Sequence, residues 1–205
     1  MLHPFAQDVG SVVPPVFGAY ARVFHPAQLG EWDVRWADIA LVNGRAAHAR
    51  MQFENLTDVP WDVDGEQPGL WDRKPRVGVL PAPPVAVLVD VLRRHTTTPN
   101  DCTFAVWEGW GGAVPSGSVL RLPGRAYVLS DGPVDAVPEK ANLWWPADRA
   151  WCVATEIDFD STYVGGSAQC IADLVADRRI EAMATAADDP IGAAADDLNP
   201  RRAQS

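Results

Sequence analysis

"CTFAVWEGWGGAVPSGSVLRLPGRAYVLSDG", residues 102–132, decides how the chain is read. Its three runs, CTFAVWEG, SVLRLP and RAYVLSDG, are rich in β-branched and aromatic residues, too short for helices, and separated by glycine and proline. Consecutive short strands joined by such turns predict strands of one sheet. The glycines around Trp110 could instead cradle a phosphate, but that chemistry needs a helix N-terminus behind the loop, often with Lys-Ser or Lys-Thr. GWGGAVPSGS has no lysine and runs through Pro115 and Gly117 into a strand pattern, so a hairpin turn is expected, with Trp107 facing inward.

Working outward, RAWCVATEIDF (149–159) and STYVGGS (161–167) continue the strand series. Ser167 then caps AQCIADLVAD, where Cys170, Ile171, Leu174 and Val175 form one apolar helical stripe. Upstream, FGAYARVFHP alternates as a first strand closed by Pro26, and EWDVRWADIALVNG reads as a helix with Trp32, Trp36, Ile39 and Ala40 on one face. Six prolines across residues 57–84 predict a long loop bearing Trp61 and Trp71. PPVAVLVDVLRRH has prolines in its first turn, Val85, Leu88, Val89 and Leu92 on one face, and positive charge in its last turn, which is a helix pattern. The fold class is therefore α+β: a mainly antiparallel sheet packed by two or three helices. Residues 1–186 are expected to form one domain and 187–205 a disordered, acidic and polar C-terminal tail.

A chain of 205 residues buries a core without staples. Twenty-seven acidic against 17 basic residues give a net charge of −10, which repels phosphate backbones, so nucleic acid is not expected as a partner. MLHPFAQDVG has neither a basic n-region nor an apolar h-region, and no apolar run is long enough for a membrane span. Cys102, Cys152 and Cys170 are odd in number and widely spaced, which predicts neither a disulfide framework nor a zinc knuckle and points to the cytoplasm. Nine tryptophans are the unusual feature; indole N–H groups need partners, so several are expected at a core boundary or along a groove.

EIDFDSTYV resembles the first motif of the haloacid dehalogenase phosphotransferases, a resemblance that would make Asp158 a nucleophile and Asp160 an acid/base group beside magnesium. That family carries the motif near its N-terminus with a doubly wound sheet downstream, whereas only 43 residues follow Thr162, none supplying the family's lysine in a strand context. Two acids in a hairpin turn is the simpler reading. A divalent ion held by Glu156, Asp158 and Asp160 lacks the spacing of a metal loop, so neither metal nor cofactor is expected. His3, His25, His48 and His95 show no HxH or HxxxH spacing, His95 reads as a helix-ending residue, and Cys152 reads as a strand residue, not a nucleophile. Trp144 and Trp145 are adjacent, so in a strand only one can face the core, leaving the other as a binding candidate.

HTTTPNDCTFAVWEGWGG, LRLPGRAYVLSDGP and WWPADRAWCVATEIDFDSTYVGGS also resemble a family of uncharacterised single-domain proteins of high-GC actinobacteria, over most of residues 15–186. The resemblance implies a source and one domain, and no activity. Acidic charge, excess tryptophan, a proline-rich loop and no convergent catalytic set favour a non-enzymatic, cytoplasmic interaction protein of immunity or regulatory type, bound to a protein partner. The second reading is a small-molecule-binding protein or enzyme whose pocket is lined by Trp107, Trp110 and Trp145, with Asp158, Asp160 or His95 as polar groups. The third is a structural homodimer with its exposed tryptophans at a two-fold axis.

Overall fold

The computed structural model describes residues 7–57, 59, 65–110, 117–122 and 124–199. Strands β1 (Ala19–Phe24), β4 (Cys102–Trp107), β5 (Val119–Leu122), β6 (Arg125–Gly132), β7 (Leu143–Pro146), β8 (Cys152–Ala154), β9 (Ser161–Gly166) and β10 (Ala182–Thr185) form one sheet. Their order is β10-β1-β9-β8-β7-β4-β6-β5, and every neighbouring pair is antiparallel. A separate two-stranded hairpin joins β2 (Ala27–Leu29) to β3 (Trp32–Val34). Helices α1 (Trp36–Val42), α2 (Phe53–Leu56), α3 (Ala82–Arg93) and α4 (Ala168–Ala176) complete the α+β architecture. Among the described residues, no helix is long and apolar enough to cross a membrane.

The strand pattern of β1 shows how the sheet is buried on both sides. Ala21 and Val23 face α3 and α4, while Tyr20 and Phe24 face the opposite layer. On the helical side Leu88, Val91 and Leu92 of α3 and Ile171 and Leu174 of α4 pack onto Phe104, Trp144, Val153 and Val164. Trp144 meets Trp151 edge-to-face at 5.3 Å, and Trp151 Nε1 donates to the Leu92 carbonyl at 3.0 Å, tying α3 to the sheet. On the other side a chain of rings, Phe24–Trp36–Phe53–Trp71, runs at centroid spacings of 5.0, 5.4 and 5.2 Å. Each fully buried large side chain contributes about 1.5–3 kcal/mol, so these four buried tryptophans anchor both layers.

The helix expected over 31–44 begins only at Trp36, and Trp32 lies in β3 instead. Glu181 fixes the start of α1, its carboxylate accepting from the Trp36 amide at 2.6 Å and the Ala37 amide at 2.9 Å, a long-range cap that no local pattern announces. In α3 the fully covered positions are Val87, Leu88, Val91 and Leu92, so the buried stripe is rotated from that of Val85 and Val89, which are half-buried. In the loop over 57–84, Trp71 is fully buried, and Trp61 lies outside the described residues.

Part of the stretch expected as a tail is packed. The Val9 and Gly10 amides donate to the Asp189 and Ala187 carbonyls, and the Ile191 amide donates back to the Gln7 carbonyl. Asp196 accepts from His48 at 2.9 Å, from the Gln52 amide at 3.1 Å and from the Asn199 amide at 2.9 Å. Burial of Ile191 and Ala195 and these bonds to distant loops hold residues 187–199, a stabilisation invisible in their small, charged composition.

Candidate functional site

The richest polar cluster forms where β4 ends. Residues 108–110 make a single 3-10 turn, which folds Trp110 back so that its ring meets Trp107 edge-to-face at 6.3 Å. Asn142, buried, holds both: its Oδ1 accepts from the Trp107 amide at 2.8 Å and from Trp110 Nε1 at 3.1 Å, and its Nδ2 donates to the Thr155 carbonyl at 3.0 Å. Two glycines make this approach feasible. A Cβ on Gly109 would sit 2.2 Å from the Trp107 ring, and one on Gly78, at φ +77°, 2.5 Å from the Ile157 carbonyl oxygen and 2.9 Å from Trp110.

Arg125 closes the cluster from the side, pairing with Glu156 at 3.1 Å and Asp158 at 3.3 Å while its guanidinium lies 5.6 Å from the Trp107 centroid. Lys140 Nζ sits 5.2 Å from the Trp110 ring. Burial raises the Glu156 carboxyl above its ordinary range against the opposing pull of the Ile157 amide and Arg125. Burial, reinforced by Glu156, pushes the Tyr127 phenol up to about 12. Behind them Tyr127, Asn142, Thr155 and Glu156 line a cavity of about 30 Å³, room for a water or two and not for a substrate.

The remaining sequence candidates do not join this cluster. Asp160 faces the buried Arg22 at 3.7 Å, and burial raises its pKa. Arg22 also donates to Ser161 Oγ at 2.9 Å and to the Ala49 and Met51 carbonyls at 3.1 and 2.7 Å. Asp158 and Asp160 thus serve two different guanidinium groups. His95 links α3 to α4 through Asp173 at 2.8 Å. Trp145 is half-buried on the sheet face opposite the buried Trp144, at the rim of the cluster around Tyr20 and Tyr163. The three cysteines are free and buried, and burial pushes their thiols up to about 11, 12 and 11 at Cys102, Cys152 and Cys170. Among the described residues, no three His, Cys, Asp or Glu side chains group to hold a metal ion.

His25 is a further buried polar group. Its Nδ1–H donates to the Arg76 carbonyl at 2.6 Å, which leaves Nε2 to accept from Thr162 Oγ1 at 2.9 Å; Thr162 in turn accepts from Thr155 Oγ1 at 2.7 Å. Burial lowers its pKa to about 4. Every member of this chain is occupied and enclosed, so it cross-links β1 to β9 and presents no reactive group.

The larger concavities are open and apolar. A groove of about 470 Å³ between α3 and the 135–139 segment is lined by Leu80, Val85, Val89 and Val137, and the charges at its rim pair with each other, Arg76 with Glu139 and Arg93 with Asp135, both at 3.2 Å.

Among the described residues, the one aromatic ring left outward belongs to a residue that the helical reading of 31–44 concealed. Trp32 is 79% exposed, and its indole N–H makes no hydrogen bond among the described residues, whereas Trp36, Trp71, Trp110 and Trp151 each donate theirs internally. It pairs with Leu29 across a two-residue turn in which Gly30 takes φ +61°. The Gly30 amide donates to Asp72 at 2.6 Å, and Gln28 exchanges backbone bonds with Arg73 at 2.9 and 3.2 Å, so the hairpin is clamped from outside. The signal was present as AQLGEWDV, an alternating pair of short runs around a glycine turn. No family model matches the chain, and neither a curated protein nor a solved structure gives a match.

Proposed function

We propose that the protein is a non-enzymatic interaction protein of immunity or regulatory type, acting in the cytoplasm and binding a protein partner through an acidic surface that carries an exposed tryptophan. The observation that carries this reading is Trp32, the exposed ring on a clamped hairpin. Tryptophan contributes more binding energy per residue than most side chains, and a backbone already clamped has little entropy to lose when the ring is covered. The acids and histidine that a catalytic reading would need are engaged with Arg125, Arg22 and Asp173.

A photo-crosslinking amino acid placed at Leu29, which pairs with Trp32 across the hairpin, tests the reading, with one at Val175 on α4 as the control. In a lysate of the native host, position 29 gives a single discrete adduct that unlabelled wild-type protein competes away and the Trp32→Ala variant does not. The same pattern from both positions, or no discrete adduct, overturns the proposal. An adduct of twice the chain's own mass identifies a homodimer instead.

A further inference from the structure

We propose that the open edge of β10 joins the same edge of a second copy of the chain, extending the sheet across a two-fold axis with the two α4 helices packed over the junction.

The edge is defined by where the backbone groups point. The Phe24 amide donates to the Glu181 carbonyl, and in the same register Arg22 and Tyr20 stand opposite Met183 and Thr185, so these pairs share the main-chain bonds between β1 and β10. Ala182 and Ala184 therefore aim their N–H and C=O groups away from β1. No strand follows β10 in the sheet, and among the described residues these groups have no hydrogen-bond partner. The opposite edge of the sheet, β5, carries the exposed Arg121, a charge that opposes pairing with another strand, whereas Ala-Met-Ala-Thr of β10 carries none.

Two features select a second copy as the occupant. The first is charge. Arg178 precedes β10 and Asp188 follows it; both are exposed, and among the described residues neither side chain has an ion pair or hydrogen bond. A two-fold axis at Met183 sets Ala182 opposite Ala184 of the second copy, so that the two exchange both main-chain bonds. Arg178 and Asp188 lie equally far from Met183 along the chain, so the same axis brings Arg178 of each copy towards Asp188 of the other, a cation against an anion at both ends of the junction.

The second feature is the helix. α4 packs on β1 and β10, and its Asp173 side is held against α3 by His95. Its other flank is formed by Ala168, Ala172 and Val175, all exposed. Because α3 covers Phe104 and Trp144 of β4 and β7, inward from α4, this apolar flank looks out over the β10 edge. Strands lie about 4.8 Å apart, so a helix centred over β1 and β10 sits about 5 Å from an axis half a spacing beyond β10, and about 10 Å from its two-fold mate. Helices pack at about 8–10 Å, and alanines on the facing flank suit that distance. One pairing thus covers the strand edge and the helix flank together.

Sedimentation equilibrium of the full chain tests the proposal. Wild type passes from one chain mass to two as concentration rises over roughly a hundredfold range. Ala184→Pro removes an outward N–H and no bond to β1, so its far-ultraviolet circular dichroism stays that of wild type while the dimer weakens at least about tenfold. Arg178→Asp and Asp188→Arg lie outside the strand, and each weakens the dimer at least about fivefold by setting like charges together; mixing the two variants restores it, because each then meets its opposite. A wild type that stays monomeric, a dimer indifferent to Ala184→Pro, or no recovery on mixing overturns the proposal. Trp32→Ala dimerises as wild type does, and a dimer lost in that variant would move the junction to the hairpin and overturn it too. An adduct of twice the chain mass from position 175 belongs to this junction, and position 29 remains the reporter of the hairpin.

Discussion

Asn142→Ala is the substitution from which the architecture around β4 has most to lose. The side chain makes three hydrogen bonds, two through one oxygen. Trp110 is only half-buried, so its indole N–H can turn to water and its loss adds little. The Thr155 carbonyl belongs to a fully buried residue, and the Trp107 amide, on the half-buried last residue of β4, has Asn142 as its partner, so both lose the bond that satisfies them. Leaving a buried polar group unpaired costs about 1–3 kcal/mol, and two such groups set an expected loss of about 3 kcal/mol. For a chain of this length, 1 kcal/mol moves Tm by roughly 2–4 °C, so Tm should fall by about 6–12 °C. Differential scanning calorimetry measures it, and the tryptophan emission should shift to longer wavelength as Trp110 is released from Asn142. A Tm within about 2 °C of wild type would refute the assignment of Asn142 as the pin of this corner.

His25 is neutral in the folded protein with a pKa of about 4 against 6.5 unfolded, so the unfolded chain binds the extra proton between those values and stability falls as pH drops from 6.5 towards 4. The loss reaches about 3 kcal/mol, and His25→Asn should remove that slope from a urea-denaturation series across the same window; an unchanged slope would sink the account. Asp196 has its pKa lowered because hydrogen bonds from the Asn199 and Gln52 amides outweigh burial, so its stabilising effect is present above the ordinary value of 3.8 and lost as pH falls through its lower folded value. Asp196→Asn should release residues 187–199 to proteolysis at neutral pH, and an uncleaved variant would show that the packing of Ile191 and Ala195 suffices. Trp32→Ala should leave stability within about 0.5 kcal/mol of wild type by chemical denaturation, since it removes an exposed ring; a loss above about 1 kcal/mol would mean the ring is covered in the folded chain.

How much of this was legible depended on the distance over which each feature is decided. Elements set by local pattern were readable: the strand runs from Cys102 to Gly132, the proline-led α3, and the Ser167 cap, whose Oγ accepts from the Cys170 amide at 3.2 Å. Features set by long-range partners were not. Glu181 decides where α1 starts from 145 residues away, and Asp196 finds His48 148 residues upstream, neither with any local trace. The candidate residues were legible as chemistry but not as company. Asp158 and Asp160, two positions apart, would share a face in a strand, but the chain turns between β8 and β9 there, and they go to Arg125 and Arg22. Trp32 was obscured because Trp36, Ile39 and Ala40 supply a helical period that reaches back to it, and periodicity alone cannot show that the chain turns at Gly30 first.

The placement of β1 between β9 and β10 has a kinetic consequence. Arg22 and Ser161, which bond across that junction, are 139 residues apart, so β1 leaves the ribosome long before the strands it pairs with. At synthesis rates of roughly 5–20 residues per second, β1 waits on the order of ten seconds or more with Tyr20, Val23 and Phe24 unpaired, while β4 to β8, adjacent in the order β8-β7-β4-β6-β5, can already assemble. The nascent chain therefore carries an unpaired, apolar β1 until β9 and β10 emerge, and chaperone protection is needed there for longer than on the strands from β4 to β8.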